Sequence, residues 1–370
     1  MHQHYLIELE FGADDFPPIV DLVRRADPFV ASPSTIEDPY NLREYIVATT
    51  GGTASLWALL DNNILTRACA LAEGQSAIRS DPNDRSYRIV AAIMCFFILG
   101  GFDLEPSVAI YEKSARSDHQ KALDALKAFR IADHIHPQSY SDVALGRSDL
   151  VPACEIERAR TFADAIRTSQ GETDFTRTIQ PWQVQYLALL NAKLLQTTHT
   201  NPLTCALSFL DWVENESFSS ITGSLFALAF LSPNRPTRMI KDVSKPDPEK
   251  VLAGVRNAAW DLTYVSAWGR KARRATPREL SFLCSNDKIV KAMARPIFVT
   301  DGQDADEELS LFLQKYWPKD AAAKLLAAMN NHQTRITSNT DQRRKLVEAR
   351  YREMSAAIER AESALRLALK

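Results

Sequence analysis

The stretch "WALLDNNILTRA" (57–68) decides how the rest of the chain is read. An apolar run from Leu56 to Leu60 stops at Asp61-Asn62-Asn63, and an apolar segment with helical spacing begins at Ile64. A second stretch repeats this order. "LSFLCSNDKIV" (280–290) runs from an apolar strand through Ser285-Asn286-Asp287 into a helix start. Strands that turn directly into helices indicate an α/β fold. In an open α/β sheet the carboxyl ends of neighbouring strands share one edge, where ligands bind. Asp61 and Asp287 are therefore expected to face that edge together. The plain alternative is that each Asp is a helix N-cap, its side-chain oxygen taking an orphan backbone N–H. Taken singly, each position favours the cap.

Working outward, "YLIELEF" (5–11) alternates like a strand, and "VDLVRRA" (20–26) reads as a short helix. "YIVATTGGTASLWALLDNN" (45–63) reads as a strand, a Gly-Gly turn and a second strand ending at Asp61. Residues 64–74 and 86–99 are expected to be helical, "FDLEP" (102–106) extended, and "SVAIYEKSA" (107–115) a helix with Pro106 at its entry. From 119 to 232 apolar residues recur three and four apart, the mark of amphipathic helices. "HIHPQSYSD" (134–142) and "HTNPLT" (199–204) read as surface loops between them. Four prolines and many charges make 231–250 a linker or exposed loop, and 251–274 a long amphipathic helix follows it. The last fifty residues are charged, Ala/Leu-rich helices with one apolar stripe, suited to docking on the body or on a partner.

With 370 residues there is length for one large or two modest domains. Hydrophobic residues make up 45% and charged residues 24%, as in ordinary soluble proteins. A net charge of -2 means that any nucleic-acid binding must use a local basic patch. Five cysteines without a CxxC suit free thiols in a reducing cytoplasm. The apolar run "IVAAIMCFFILGGF" (89–102) is too short to span a bilayer and reads as a buried helix, so no membrane role is expected.

Two more acids fall between the strand-end motifs. Glu112 lies in "EPSVAIYEKS" and Asp261 in "AAWDLTYVSAW", each within an otherwise apolar helical stretch. Asp261 borders a stripe made by Ala258, Leu262 and Val265. Partly buried carboxylates need a compensating partner, and several together would repel. A divalent cation removes both difficulties, and Mg²⁺ prefers oxygen ligands.

In this order of motifs the chain resembles the PIN-domain nucleases, a metal-dependent ribonuclease family. Their first motif, a strand ending in Asp-Thr-Asn, is matched by Asp61-Asn62-Asn63 at the first and third places. A helix-borne Glu after a short Pro-containing entry is matched by Glu112, with Glu105 as the alternative. An Asp opening a small-residue helix is matched by Asp261, and a strand ending in Thr/Ser-Asn-Asp by Ser285-Asn286-Asp287. The departures are the Asn at position 62, the length of the chain, and the long gap between Glu112 and Asp261. The resemblance implies a three-layer α/β, PIN-like (Rossmann-like) parallel sheet formed by residues 1–118 and 251–305. A mainly helical insertion would occupy 119–250 and a helical C-terminal extension 306–370. It also implies that Asp61, Glu112, Asp261 and Asp287 hold one or two Mg²⁺ or Mn²⁺ ions, with Asn63 and Ser285 orienting the acids through hydrogen bonds. The implied reaction is hydrolysis of RNA by in-line attack of water, leaving a 5′-phosphate and a 3′-hydroxyl. DNA is the other polynucleotide that the pattern admits. Toxin, RNA-processing and defence roles all fit such an enzyme. The helical parts would position RNA, bind a regulatory protein or mediate self-association.

"WGRKARRATPR" (268–278) places Arg270, Lys271, Arg273 and Arg274 on the segment between the third and fourth acids, where they would grip phosphates. The opposing reading is a solvated helix end favoured by the helix dipole. Trp260, Tyr264 and Trp268 are offered either to bases or to the core, and the core is the default. "HIH" (134–136) lacks a cysteine partner for zinc, and "TTGGT" (49–53) lacks the Lys-Ser/Thr tail of a phosphate loop. An aspartyl-phosphatase reading needs Asp at position 63, where Asn stands. The rival from another class is a non-catalytic α/β interaction module whose aspartates are caps and whose helical half binds a protein.

Overall fold

The computed structural model describes residues 11–32, 38–78, 81, 84–166, 174–216, 220–276, 278–298, 303–338 and 340–369. The chain divides into two compact units, residues 1–177 with 274–286, and 178–273 with 287–370.

The first unit holds a four-stranded sheet. Its strands are β1 (Phe29–Ala31), β2 (Ser55–Leu60), β3 (Phe102–Glu105) and β4 (Glu279–Cys284). The order across the sheet is β1-β4-β2-β3. β4, β2 and β3 are parallel, with Leu60 opposite Cys284 and Leu59 opposite Glu105. β1 runs antiparallel to β4. The sheet is therefore mixed, which corrects the expectation of an all-parallel sheet. The expected strand at 5–11 lies outside the described residues apart from Phe11.

Among the described residues this unit holds eight α-helices: α1 (Phe16–Ala26), α2 (Leu42–Thr50), α3 (Asn62–Ala72), α4 (Ser86–Gly100), α5 (Ser107–Arg116), α6 (His119–Ala132), α7 (Pro137–Leu145) and α8 (Ala153–Ile166). One sheet face presents Phe29, Ala58, Phe102 and Phe282, since alternate residues share a face. Tyr45 of α2 and Phe96 and Phe97 of α4 meet this face. Tyr45 lies 5.6 Å from Phe282 and 5.4 Å from Phe102, and Phe97 lies 5.0 Å from Phe29, between ring centroids. The apolar run at 89–102 is thus the buried core helix α4, stopped by Gly101 in the left-handed conformation (φ 70°) before β3 begins. α6, whose Ala122, Ala125, Ala128 and Ala132 are buried, packs on α3, close enough for the Cys69 thiol to donate to the Ala125 carbonyl at 3.3 Å.

Some elements differ from their sequence reading. Residues 42–50 form helix α2, not a strand, because the Asn41 side chain accepts from the Glu44 N–H and donates to its carboxylate. The segment read as a loop at 134–142 contains α7, opened by His136 as N-cap and Pro137 at its first position. Tyr140 and Ser141 on it are fully buried.

The second unit is helical: α9 (Gln180–Thr198), α10 (Pro202–Glu216), α11 (Ile221–Leu231), α12 (Pro248–Arg274), α13 (Lys288–Ala294), α14 (Gln303–Gln314), α15 (Lys319–Ser338), α16 (Thr340–Arg352) and α17 (Met354–Ala368). One core joins its two chain segments, with Phe209, Phe226, Phe230, Leu252 and Val255 packing with Phe312, Trp317 and Leu365. The Trp317 indole N–H donates to the Leu228 carbonyl at 3.0 Å. The proline-rich segment before α12 is an irregular loop that nevertheless sends Met239 and Ile240 into this core. It passes so close to α12 that a Cβ on Gly254 would stand 1.9 Å from the Lys241 carbonyl oxygen.

The chain is thus cut differently from the expected scheme of 1–118, 119–250, 251–305 and 306–370. α6, α7 and α8 belong to the sheet unit because α6 packs on α3 and α7 on α4. α12 belongs with α9–α11, and the C-terminal helices dock on that same helical body. No described helix is long and apolar enough to cross a membrane.

Candidate functional site

The site is built at the carboxyl end of β2. Residue 61 ends the strand and opens α3, so its side chain faces the first turn of a helix. Asp61 accepts the Ile64 N–H at 2.8 Å through Oδ1, and its own N–H continues the ladder to the Cys284 carbonyl at 3.0 Å. Its other oxygen, Oδ2, accepts the Ser285 hydroxyl at 2.5 Å. Ser285 follows the neighbouring parallel strand β4, and its N–H is anchored on the Pro28 carbonyl at 2.8 Å. Asp61 is 5% exposed and Ser285 is fully buried. The structure therefore joins these two sequence-selected residues, 224 positions apart, across adjacent strand ends. Asn63, in the first turn of α3, is exposed.

Glu112 lies on α5, which packs along α3 within the same unit, and is 3% exposed. Its carboxylate pairs with Arg116 at 2.5 Å, one turn along the same helix. Glu105, the alternative acid, ends β3 and caps α5 by accepting the Ser107 N–H at 2.8 Å. Lys113 of α5 reaches Thr66 of α3 at 3.1 Å and ties the two helices together beside the sheet edge.

The other two acids belong to the second unit. Asp287 is the N-cap of α13, where Oδ1 takes the N–H groups of Ile289 at 2.6 Å and Val290 at 3.2 Å. Asp261 stands half-buried midway along α12, beside buried Ala258, Leu262 and Val265. Trp260, Tyr264 and Trp268 are buried, which fits their reading as core. Arg270, Lys271, Arg273 and Arg274 form the exposed last turns of α12, with Arg270 donating to the Ser266 hydroxyl at 3.2 Å.

Both strand-end aspartates thus serve as caps, as each position read singly predicts. Capping does not exhaust a carboxylate, which offers about four lone-pair positions. Carboxylate oxygens are the donors a hard cation takes, and Mg²⁺ is usually held by one or two of them, with waters and substrate phosphates completing the shell. Among the described residues no group of three or more His, Cys, Asp and Glu side chains is placed to hold a metal. The donors accordingly fit a divalent ion only in that sparse form. All five cysteines are free and four are buried, with Cys154 exposed. The resemblance implies that Ser285 orients an acid through a hydrogen bond, and the acid it meets is Asp61. The Arg116 partner of Glu112 was legible only as an i, i+4 pair whose significance depends on burial. No known protein family, curated protein or solved structure matches the chain.

Proposed function

We propose that the protein is a metal-dependent endoribonuclease of the PIN-like kind, hydrolysing phosphodiester bonds at the sheet edge where Asp61 stands. One observation carries the reading: a buried carboxylate at a strand end is fixed by a serine from the adjacent parallel strand. Ordinary capping needs only the helix N–H; the Ser285 bond adds an orientation that capping does not require. Asp61 would supply the central metal ligand, and Glu112, Asp261 and Asp287 are the further carboxylates the resemblance implies. A bound Mg²⁺ or Mn²⁺ supplies acidity to water and stabilises charge on the phosphate under attack. Ser285 holds the Asp61 carboxylate in one orientation. The α12 cations, Arg270, Lys271, Arg273 and Arg274, would neutralise RNA phosphates, and DNA is the second polynucleotide to assay.

The test compares cleavage of single-stranded RNA in Mg²⁺ or Mn²⁺ by the native protein and by Asp61→Asn. Asn caps a helix as well as Asp does, so this variant keeps the fold and removes the charge. Cleavage is expected to vanish in Asp61→Asn and to fall about 10–100-fold in Ser285→Ala. Unchanged cleavage in Asp61→Asn refutes the proposal.

The second reading, a non-catalytic interaction module, draws on a specific observation too. Asp61, Asp287 and Glu105 each take helix N–H groups, and Glu112 is paired with Arg116. In that reading the carboxylates serve the fold alone, and the helical second unit binds a protein partner.

A further inference from the structure

Two cations of the sheet unit are held by neutral oxygens alone, and both are held on the helix that Asp61 opens. α3 buries Ile64, Leu65 and Ala68, and leaves Asn62, Asn63, Thr66 and Arg67 half-buried or exposed. Positions 62 and 66, 63 and 67, and 63 and 66 are four or three apart, so these residues share one side of the first two turns. The Arg67 guanidinium donates to the Asn63 carbonyl at 3.0 Å. The Lys113 ammonium crosses from α5 and donates to the Thr66 hydroxyl at 3.1 Å, and that hydroxyl donates to the Asn62 side-chain oxygen at 3.2 Å. Asn62 directly follows Asp61. Among the described residues neither Arg67 nor Lys113 makes an ion pair. Arg116, three residues beyond Lys113 on α5, is by contrast paired with Glu112. The Arg67 guanidinium also lies 6.0 Å from the ring centroid of half-buried Tyr87, in the first turn of α4.

We propose that Lys113, Arg67 and Tyr87 form a strip that carries single-stranded RNA past Asp61. Charge selects the ligand class. Hydrogen bonds to a hydroxyl and a carbonyl position the two cations without neutralising them, so both charges remain for an outside anion. Two fixed cations on one side of a helix suit an anion whose charges repeat along a chain, as phosphates do in a polynucleotide. The side-chain chemistry agrees. Arg presents a planar fork suited to phosphate oxygens, and Lys adds a point charge. Tyr87 offers a ring on which a base can stack, with the Arg67 guanidinium beside it. A strand whose bases are free to stack on a side chain is single, which decides against a duplex. The assignment rests on the nuclease reading in placing the strand's scissile bond at Asp61; the binding itself is measured apart from cleavage.

The experiment measures binding of a short fluorescent oligouridylate to the full chain by anisotropy, without divalent metal, over a series of KCl concentrations. Arg67→Gln and Lys113→Gln should each weaken binding about tenfold at low salt. Each should also make the slope of log affinity against log salt shallower by about 0.7. Lys113→Arg should keep the native slope, and Tyr87→Leu should weaken binding about tenfold without changing the slope. Unchanged melting temperatures in the charge variants separate lost binding from lost folding. A native protein that binds no RNA overturns the proposal, as does a salt slope that neither charge variant alters. Polyglutamate bound as tightly as the oligouridylate overturns it in favour of an acidic protein partner, and oligothymidylate DNA bound more tightly than RNA overturns the choice of RNA. The nuclease reading is judged separately, by metal-dependent cleavage and its loss in Asp61→Asn. RNA binding that depends on the strip, without cleavage, supports the strip and refutes that reading. Cleavage with KM unchanged in both charge variants does the reverse.

Discussion

At the scale of single residues, one side chain can carry two separable tasks. Asp61 caps α3 through one oxygen and receives Ser285 through the other. Asp61→Asn preserves the first task and removes the anion, which is why it tests chemistry and not folding. Asp15 is a structural counterpart. It is 9% exposed and receives both guanidinium nitrogens of Arg147, with further bonds from Ser141 at 2.9 Å and Gln138 at 3.1 Å. The Arg147 bond is the chief cause that holds its carboxyl down at about 2. An Asp depressed in the folded state stabilises the fold above its unfolded value, near 4. That contribution is present at neutral pH and is lost as pH falls from about 4 toward 2. Acid titration of the melting temperature should show this loss in the native protein. In Asp15→Asn the profile should start lower and be flatter over the same window.

At the scale of elements, apolar runs and helical spacing were more legible than caps. β2, β4, α3, α4 and α12 follow directly from apolar runs and helical spacing. The stretch at 42–50 did not, because "YIVATT" has the β-branched content of a strand. Its conformation is set by Asn41 and Glu44, which start a helix before that content can matter. α7 was hidden by polar residues whose buried side shows only in the packing of Tyr140 and Ser141. The apolar stripe of the C-terminal helices was legible, but its destination was not. α17 is clamped by Glu362, which accepts the Tyr186 hydroxyl at 2.6 Å, Arg256 at 2.7 Å and Arg366 at 3.1 Å. Burial pushes the Glu362 carboxyl up, but the Tyr186 and Arg256 bonds outweigh it and hold it below the ordinary value. Glu362→Gln keeps the shape and loses the charge, and should cost about 1.5–3 kcal/mol. Faster amide exchange along α17 than along α9 would locate that loss.

At the scale of the whole molecule, the metal question becomes a linkage measurement. Ions that bind the folded state alone raise its melting temperature by mass action. Mn²⁺ should raise it in the native protein and not in Asp61→Asn if the proposed ligands hold a metal. An interaction module whose carboxylates only cap should give the same flat response in both. The division into units was not legible because it depends on which helices share a core. The alanine residues of α6 could have served any neighbour, and its packing on α3 shows only in the structure, where the Cys69 thiol reaches the Ala125 carbonyl. The four acids were selected by motif order, whereas the pairing of Asp61 with Ser285 required the register of β2 against β4.

That register has a temporal meaning. β4 pairs with both β1 and β2, so it is one of the sheet's two inner strands, yet it is encoded last of the four. During synthesis, residues 1–177 emerge without it, and β1 has no neighbour until 279–284 have been made. The nascent sheet must wait while the chain for much of another folding unit passes. A fragment ending at residue 177 should remain unable to close its aromatic core, and adding the β4 segment as a separate peptide should complete it.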